Sequence, residues 1–260
     1  MERKIWLIGG TKESVTIAKA IATTRLPLAI AVATSAARSL YPPDCEVWVG
    51  RMDRAAMSHF CRQGNIAAIV DASHPYAVEV SQNAIATATA IGIPYLRYER
   101  PLVHQLSIKN TESVVELDSF ESLIEGNYLQ GERVLLTVGC QALPLFKSWH
   151  HRSTLFARIL PKLESVEVAL AAGFTSEKII ALRPPIGAEL EKALWRQWQI
   201  SLVVTKASGK PGGEDIKRAV AKELGIGLIV ITRPKVVYPQ QTSCINEIMV
   251  FCREHYFKYV

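Results

Sequence analysis

Residues 4–13 read Lys4-Ile5-Trp6-Leu7-Ile8-Gly9-Gly10-Thr11-Lys12-Glu13. The four apolar residues Ile5 to Ile8 follow one another without alternating. That marks a strand covered on both faces, and such strands belong to parallel sheets. Gly9-Gly10 ends the run and permits a tight turn, and Glu13 opens a helical pattern that reaches Thr23. Strand, glycine turn and helix in this order begin a βαβ unit.

Working outward, the same rhythm repeats. Leu28–Ala33 is a second continuous apolar run, and strands follow near Glu46–Val49, Ala67–Val70 and Pro94–Tyr98. Helices are predicted over Arg54–Gln63 and Ala77–Ile91. After the polar stretch Val103–Asn110 the pattern restarts. Strands are expected at Arg133–Val138, Leu155–Leu160, Lys178–Leu182, Leu202–Thr205 and Leu228–Ile231. Helices fit at Leu143–Trp149, Glu164–Ala171, Ala188–Gln197 and Gly213–Leu224, and a last one at Ser243–Tyr256. The sequence therefore predicts an α/β protein of two Rossmann-like domains, each a mainly parallel sheet flanked by helices, with a cleft between them. The expected boundaries are 1–102 for the first domain and 111–260 for the second, which includes the closing helix.

Composition narrows the function classes. Of 260 residues, 49% are hydrophobic, enough for packed cores and too many for a disordered chain. No run approaches the roughly 18 apolar residues that a membrane span requires. The apolar run after Met1-Glu2-Arg3-Lys4 is too short for a secretory signal and reads as a buried strand. Cys45, Cys61, Cys140, Cys244 and Cys252 lack zinc or redox spacing, so no metal site is expected, and reduced thiols point to the cytoplasm. The net charge of +6 is spread along the chain without a dense basic block. That argues against nucleic acid and leaves an ordinary surface or a polyanionic small substrate.

In an open parallel sheet, ligands bind beyond the carboxyl ends of the strands. Gly9, Gly10 and Thr11 could hold a phosphate there, although a plain strand-to-helix turn explains them equally well and no full G-x-G-x-x-G is present. After the second strand comes Thr34-Ser35-Ala36-Ala37-Arg38. The acidic residue that commonly holds an NAD ribose is missing there, so Ser35 and Arg38 lean toward a 2′-phosphate and NADPH, with NADH also allowed. The alternative is a capped helix start with a surface arginine. Arg51, in Gly50-Arg51-Met52-Asp53, would face the ligand crevice. Asp71-Ala72-Ser73-His74-Pro75-Tyr76-Ala77 is the most distinctive segment, since an apolar strand delivers Asp71, Ser73 and His74 to the sheet edge. His74 could orient a cofactor, bind a substrate carboxylate or donate a proton, the last being its candidate catalytic role, and Ser73 is a candidate cofactor contact. In the second half, Thr137 and Gly139 follow the first strand, and Lys206, Ser208 and Gly209 form an anion-binding loop that is not a Walker A motif. Cys140 has no histidine assigned to it and reads as a small buried residue rather than a nucleophile.

Taken together and in this order, these segments resemble the precorrin-6A reductase family, cobalt-precorrin-6A reductases included. Ile93-Pro94-Tyr95-Leu96-Arg97-Tyr98-Glu99-Arg100-Pro101, Glu223-Leu224-Gly225-Ile226 and Arg233-Pro234 extend the match across nearly the whole chain. The resemblance implies hydride transfer from a nicotinamide to a double bond of a corrinoid macrocycle in cobalamin biosynthesis. It also implies a dinucleotide bound in the cleft between two α/β domains, and hand-over of substrate from neighbouring pathway enzymes. Such a substrate carries many carboxylates, for which Arg97, Arg100, Arg158 and Lys206 are candidate partners. Two positions depart from the family pattern. Cys140 stands where a basic residue is usual, and the paired glycines are displaced to Gly212-Gly213. Against this stand an oxidoreductase acting on a smaller substrate, and a non-catalytic dinucleotide-binding module. The first commonly needs a Tyr-x-x-x-Lys pair on a helix, which no suitable helix here supplies.

Overall fold

A computed structural model describes residues 2–103 and 114–257. The linker expected at 103–110 lies, beyond Val103, outside them. In chain order the first half holds β1 (Lys4–Ile8), α1 (Lys12–Ala22), β2 (Leu28–Val32), α2 (Ser35–Arg38), β3 (Val47–Val49), α3 (Arg54–Gln63), β4 (Ile66–Asp71), α4 (Val78–Ile91) and β5 (Tyr95–Tyr98). Next come β6 (Val114–Leu117), α5 (Phe120–Glu125), β7 (Arg133–Leu136), β8 (Thr154–Ile159), α6 (Leu163–Ala171), β9 (Ile179–Ala181) and α7 (Ala188–Gln197). The chain finishes with β10 (Leu202–Lys206), α8 (Glu214–Leu224), β11 (Gly227–Ile231), β12 (Gln241–Thr242) and α9 (Ile245–Phe257).

Two compact units result, Met1–Arg100 with Lys235–Val260, and Pro101–Pro234. In the first, the strand order is β12-β5-β4-β1-β2-β3, and each of these pairings is parallel. The chain steps outward from β1 to β3, then crosses back to β4, so strand order reverses between β1 and β4. Alternate residues of the central strands serve opposite layers. Ile5, Leu7 and Val70 pack with Ile17 and Ile21 of α1 and with Ile248 and Phe251 of α9. Trp6, Ile8 and Ile69 pack with Met57 and Cys61 of α3 and with Ala84 and Ala88 of α4. This two-sided cover is why the run Ile5–Ile8 is continuously apolar.

The closing segment corrects the expected boundaries. Residues 235–257 return to the first unit instead of completing the second. Gln241 and Thr242 of β12 align with Arg97 and Tyr98 of β5, and the buried face of α9 (Ile248, Phe251, Cys252) covers the α1 side of the first sheet. The cause is burial. Without α9, apolar side chains beside α1 would face water.

The second unit repeats the plan, with order β6-β11-β10-β7-β8-β9, parallel pairings and a reversal between β7 and β10. Edge strand β6 and α5 were not expected, because β6 is only four residues long and half-exposed. Residues 140–151 form successive 3₁₀ turns rather than the α-helix expected at 143–149; Pro144 within them has no amide hydrogen to donate. Under α7, Glu191 is 1% exposed and accepts from Arg158 Nη1 at 2.7 Å and Trp195 Nε1 at 3.0 Å. Arg158 is thereby an internal partner, not one available to a ligand. Glu191→Ala should destabilise the protein by about 3 kcal/mol, because it strands a buried guanidinium. Urea unfolding would register this as a lowered midpoint, and an unshifted midpoint would refute it.

Candidate active site

The first-unit turns at the carboxyl ends of β1 to β4 enclose a cavity of about 530 Å³, within the size range of small-molecule sites. Its lining includes Gly10 and Thr11 after β1, Thr34 after β2, Arg51 after β3, and Ser73 and His74 after β4. It therefore sits at the reversal of strand order, where ligands of open parallel sheets bind.

The β1–α1 turn is built by a chain of polar contacts. Gly10 has φ +100, a conformation that favours glycine. Gly9 is glycine for another reason: a Cβ there would overlap the Tyr41 hydroxyl. Thr11 caps α1, its Oγ1 accepting from Ser14 N at 3.1 Å and donating to the Ala72 carbonyl at 2.9 Å. The second bond ties the β1 turn to the β4 turn across the reversal.

After β2, Thr34 caps α2, its Oγ1 accepting from Ala37 N at 3.2 Å. Ser35 and Arg38 do not line the cavity. Arg38 donates to the carbonyls of Tyr41, Pro42, Pro43 and Cys45 at 2.9–3.4 Å, so its guanidinium holds a loop rather than facing a ligand. Arg51 is exposed and lines the cavity. Among the described residues of that lining, Arg51 is the one lysine or arginine and Glu79 the one carboxylate.

After β4, Asp71 is fully buried and accepts four hydrogen bonds. They come from Ser73 N (2.9 Å), Ser81 Oγ (2.6 Å), Tyr95 Oη (2.7 Å) and Arg97 Nη1 (3.0 Å). Burial and the Asp71 carboxylate push the Tyr95 hydroxyl upward, so it remains a donor. Arg97, a candidate for substrate, is 1% exposed and also donates to Ser73 Oγ at 3.0 Å and Glu99 at 2.9 Å. Burial works to lower its pKa, and Asp71 and Glu99 outweigh burial and raise it. Arg100, 9% exposed, is ion-paired with both carboxylate oxygens of Glu13, at 2.6 and 3.0 Å. Neither arginine is presented to a carboxylate-bearing ligand here. Both lock the frame around the cavity. His74 is exposed, and its Nδ1 accepts from Tyr76 N at 3.3 Å, which leaves Nε2 as the nitrogen that carries a proton.

In the second unit, Thr137, Gly139, Lys206, Ser208 and Gly209 stand at the reversal between β7 and β10. Thr137 Oγ1 donates to the Val204 carbonyl at 3.1 Å, and Gly139 has φ +83. Thr137 and Gly139, expected beside the dinucleotide, lie outside the first-unit cavity. Gly209 N donates to Glu214 Oε2 at 2.9 Å, and Lys217 Nζ donates to the carbonyls of Gly212 and Gly213 at 2.9 and 3.1 Å. Burial pushes the Lys217 ammonium down to about 8, and burial likewise lowers Lys206. Sequence reasoning missed Tyr41, Glu214 and Lys217. A tyrosine before Pro42-Pro43 carries no signal, and a glutamate opening a helix reads as an ordinary first-turn acid.

Residues 4–253 match the family model for precorrin-6x reductase CbiJ/CobK. The chain belongs to that family. A cobalt-precorrin-6A reductase of Synechocystis sp. is 45% identical over 96% of both chains. One of Priestia megaterium is 33% identical, over 94% of this chain and 96% of its own. A precorrin-6A reductase of Rhodococcus erythropolis is 30% identical over 94% of each. The solved CobK precorrin-6A reductase, 20% identical, superposes with a TM-score of 0.77 over 98% of this chain and 97% of its own, so it shares the fold. Membership makes this family member an oxidoreductase that employs a nicotinamide cofactor, and it retires the non-catalytic reading. The cavity suits such a cofactor: a glycine turn, hydroxyls and one arginine surround it, and no carboxylate follows β2. No helix among the described residues is long and apolar enough to cross a membrane.

Proposed function

We propose that this protein reduces a double bond of precorrin-6A, or of its cobalt complex, using NADPH held in the first-unit cavity. The observation that carries the reading is the convergence of Gly10, Thr11, Thr34, Arg51, Ser73 and His74 on one cavity at the β1/β4 reversal. The Gly10–Thr11 turn would pack against the phosphates, Ser73 would hold the ribose through its hydroxyl hydrogen, and Thr34 and Arg51 would hold the adenosine end. Arg51, not Arg38, supplies the charge for a 2′-phosphate. The nicotinamide, when bound, supplies the hydride. His74, protonated from solvent to the imidazolium, gives a proton from Nε2 to the neighbouring carbon and returns to the neutral ring whose Nδ1 accepts from Tyr76 N. Hydride and proton together saturate one carbon–carbon double bond. Lys206, Ser208 and Gly209 are the substrate contacts, with Lys206 pairing a macrocycle carboxylate. The free cysteines fit a reducing compartment, and we place the protein in the cytoplasm.

The test is direct. Purified protein is incubated with precorrin-6A and separately with its cobalt complex, and oxidation of NADPH and of NADH is followed. Turnover of neither macrocycle would refute the substrate class. Arg51→Ala should raise KM for NADPH by about tenfold to a hundredfold, the worth of a hydrogen bond to a charged group, and change KM for NADH little. Equal effects on both would remove Arg51 from 2′-phosphate recognition.

A further inference from the structure

The loop between α2 and β3 does not line the cavity, yet it is fastened to the turn that does. Arg38 gathers the four carbonyls of residues 41, 42, 43 and 45 and so fixes the loop's course. That course delivers Tyr41, 4% exposed, against the β1–α1 turn. Its hydroxyl accepts from Gly10 N at 3.0 Å and lies 2.6 Å from Ser14 Oγ. Ser14 Oγ in turn reaches the Thr11 carbonyl at 2.7 Å. With the Ser14 hydrogen spent on Thr11, the Tyr41 hydroxyl donates to Ser14. Every hydrogen in the chain from Gly10 to Thr11 then has an acceptor. Burial raises the Tyr41 pKa, and the hydroxyl keeps its hydrogen. Gly9 belongs to the same device, because any Cβ there would displace the hydroxyl.

We infer that Tyr41 is a positioning residue for dinucleotide binding. Its hydroxyl sets the Gly9–Ser14 turn in the shape that accepts a pyrophosphate, and Arg38 holds Tyr41 there. Thr34 caps α2, the helix that leads into this loop, so the turn for the pyrophosphate and the turn for the adenosine end are tied to one another through α2. This rests on the reading of the cavity as the NADPH site.

Tyr41→Phe keeps the packed ring and removes the hydroxyl. Calorimetric titration should show NADPH bound about tenfold more weakly, as expected when the hydrogen bond that fixes the turn is lost. Adenosine 2′-phosphate, which has no 5′-phosphate, should bind within about twofold of wild type, because Arg51 and Thr34 are untouched. Gly9→Ala supplies an independent check: its penalty on NADPH binding should shrink severalfold in the Tyr41→Phe background, where the overlapping hydroxyl is gone. Unchanged NADPH binding in Tyr41→Phe, equal weakening of both ligands, or additive effects of the two substitutions would each overturn the inference. Wild-type protein that binds neither ligand would instead overturn the cavity reading, and this inference with it.

Discussion

Asp71→Ala is expected to cost about 3–5 kcal/mol of stability, the usual penalty for breaking a buried ion pair. The alanine leaves Arg97 charged at 1% exposure, with Glu99 as its remaining anion. It also removes the acceptor for Ser81, for Tyr95 and for the Ser73 amide. Orphaned buried donors add their own desolvation cost, so the upper end of the range is the expected one. Asp71→Asn retains one acceptor oxygen and should lose less. Urea unfolding of the two variants gives the comparison. A loss below about 1 kcal/mol for the alanine variant would show that the network relaxes or rehydrates, contrary to its burial. Because Ser73 hangs from both Asp71 and Arg97, NADPH binding should weaken in the same variant under native conditions.

His74→Ala is expected to lower turnover by about 10²–10⁴-fold, the range for losing a positioned general acid. Cofactor affinity should change little, since the side chain is exposed and its backbone neighbours stay fixed by Asp71. Stopped-flow measurement of a single turnover separates binding from the chemical step. Should the hydride step proceed at its original rate, solvent is the proton source and His74 only lines the wall.

The sheets were legible because their central strands are unbroken apolar runs, and Ile5–Ile8 could be read only one way. The β4 exit was legible for a related reason: Asp71, Ser73 and His74 follow directly from such a run. What escaped was whatever depends on distant partners. Arg97 and Arg100 look like ligand-binding residues in sequence, being cations at a strand end. Their carboxylates, Asp71 at the end of β4 and Glu13 in α1, come from other elements, and only the folded chain shows those charges already paired. Arg38 deceived in the same way, its partners being backbone carbonyls that no sequence pattern marks. The short edge strands β6 and β12 offered too few residues for a period-two pattern to show.

The return of residues 235–257 to the first unit also bears on how the molecule is made. A ribosome releases the α1 face of the first sheet early, but its covering helix is encoded some two hundred residues later. The second unit is synthesised whole inside that interval and is free to close on its own. The first unit, begun first, is therefore the last to be completed, and a chain interrupted before residue 245 lacks the helix that covers its α1 face.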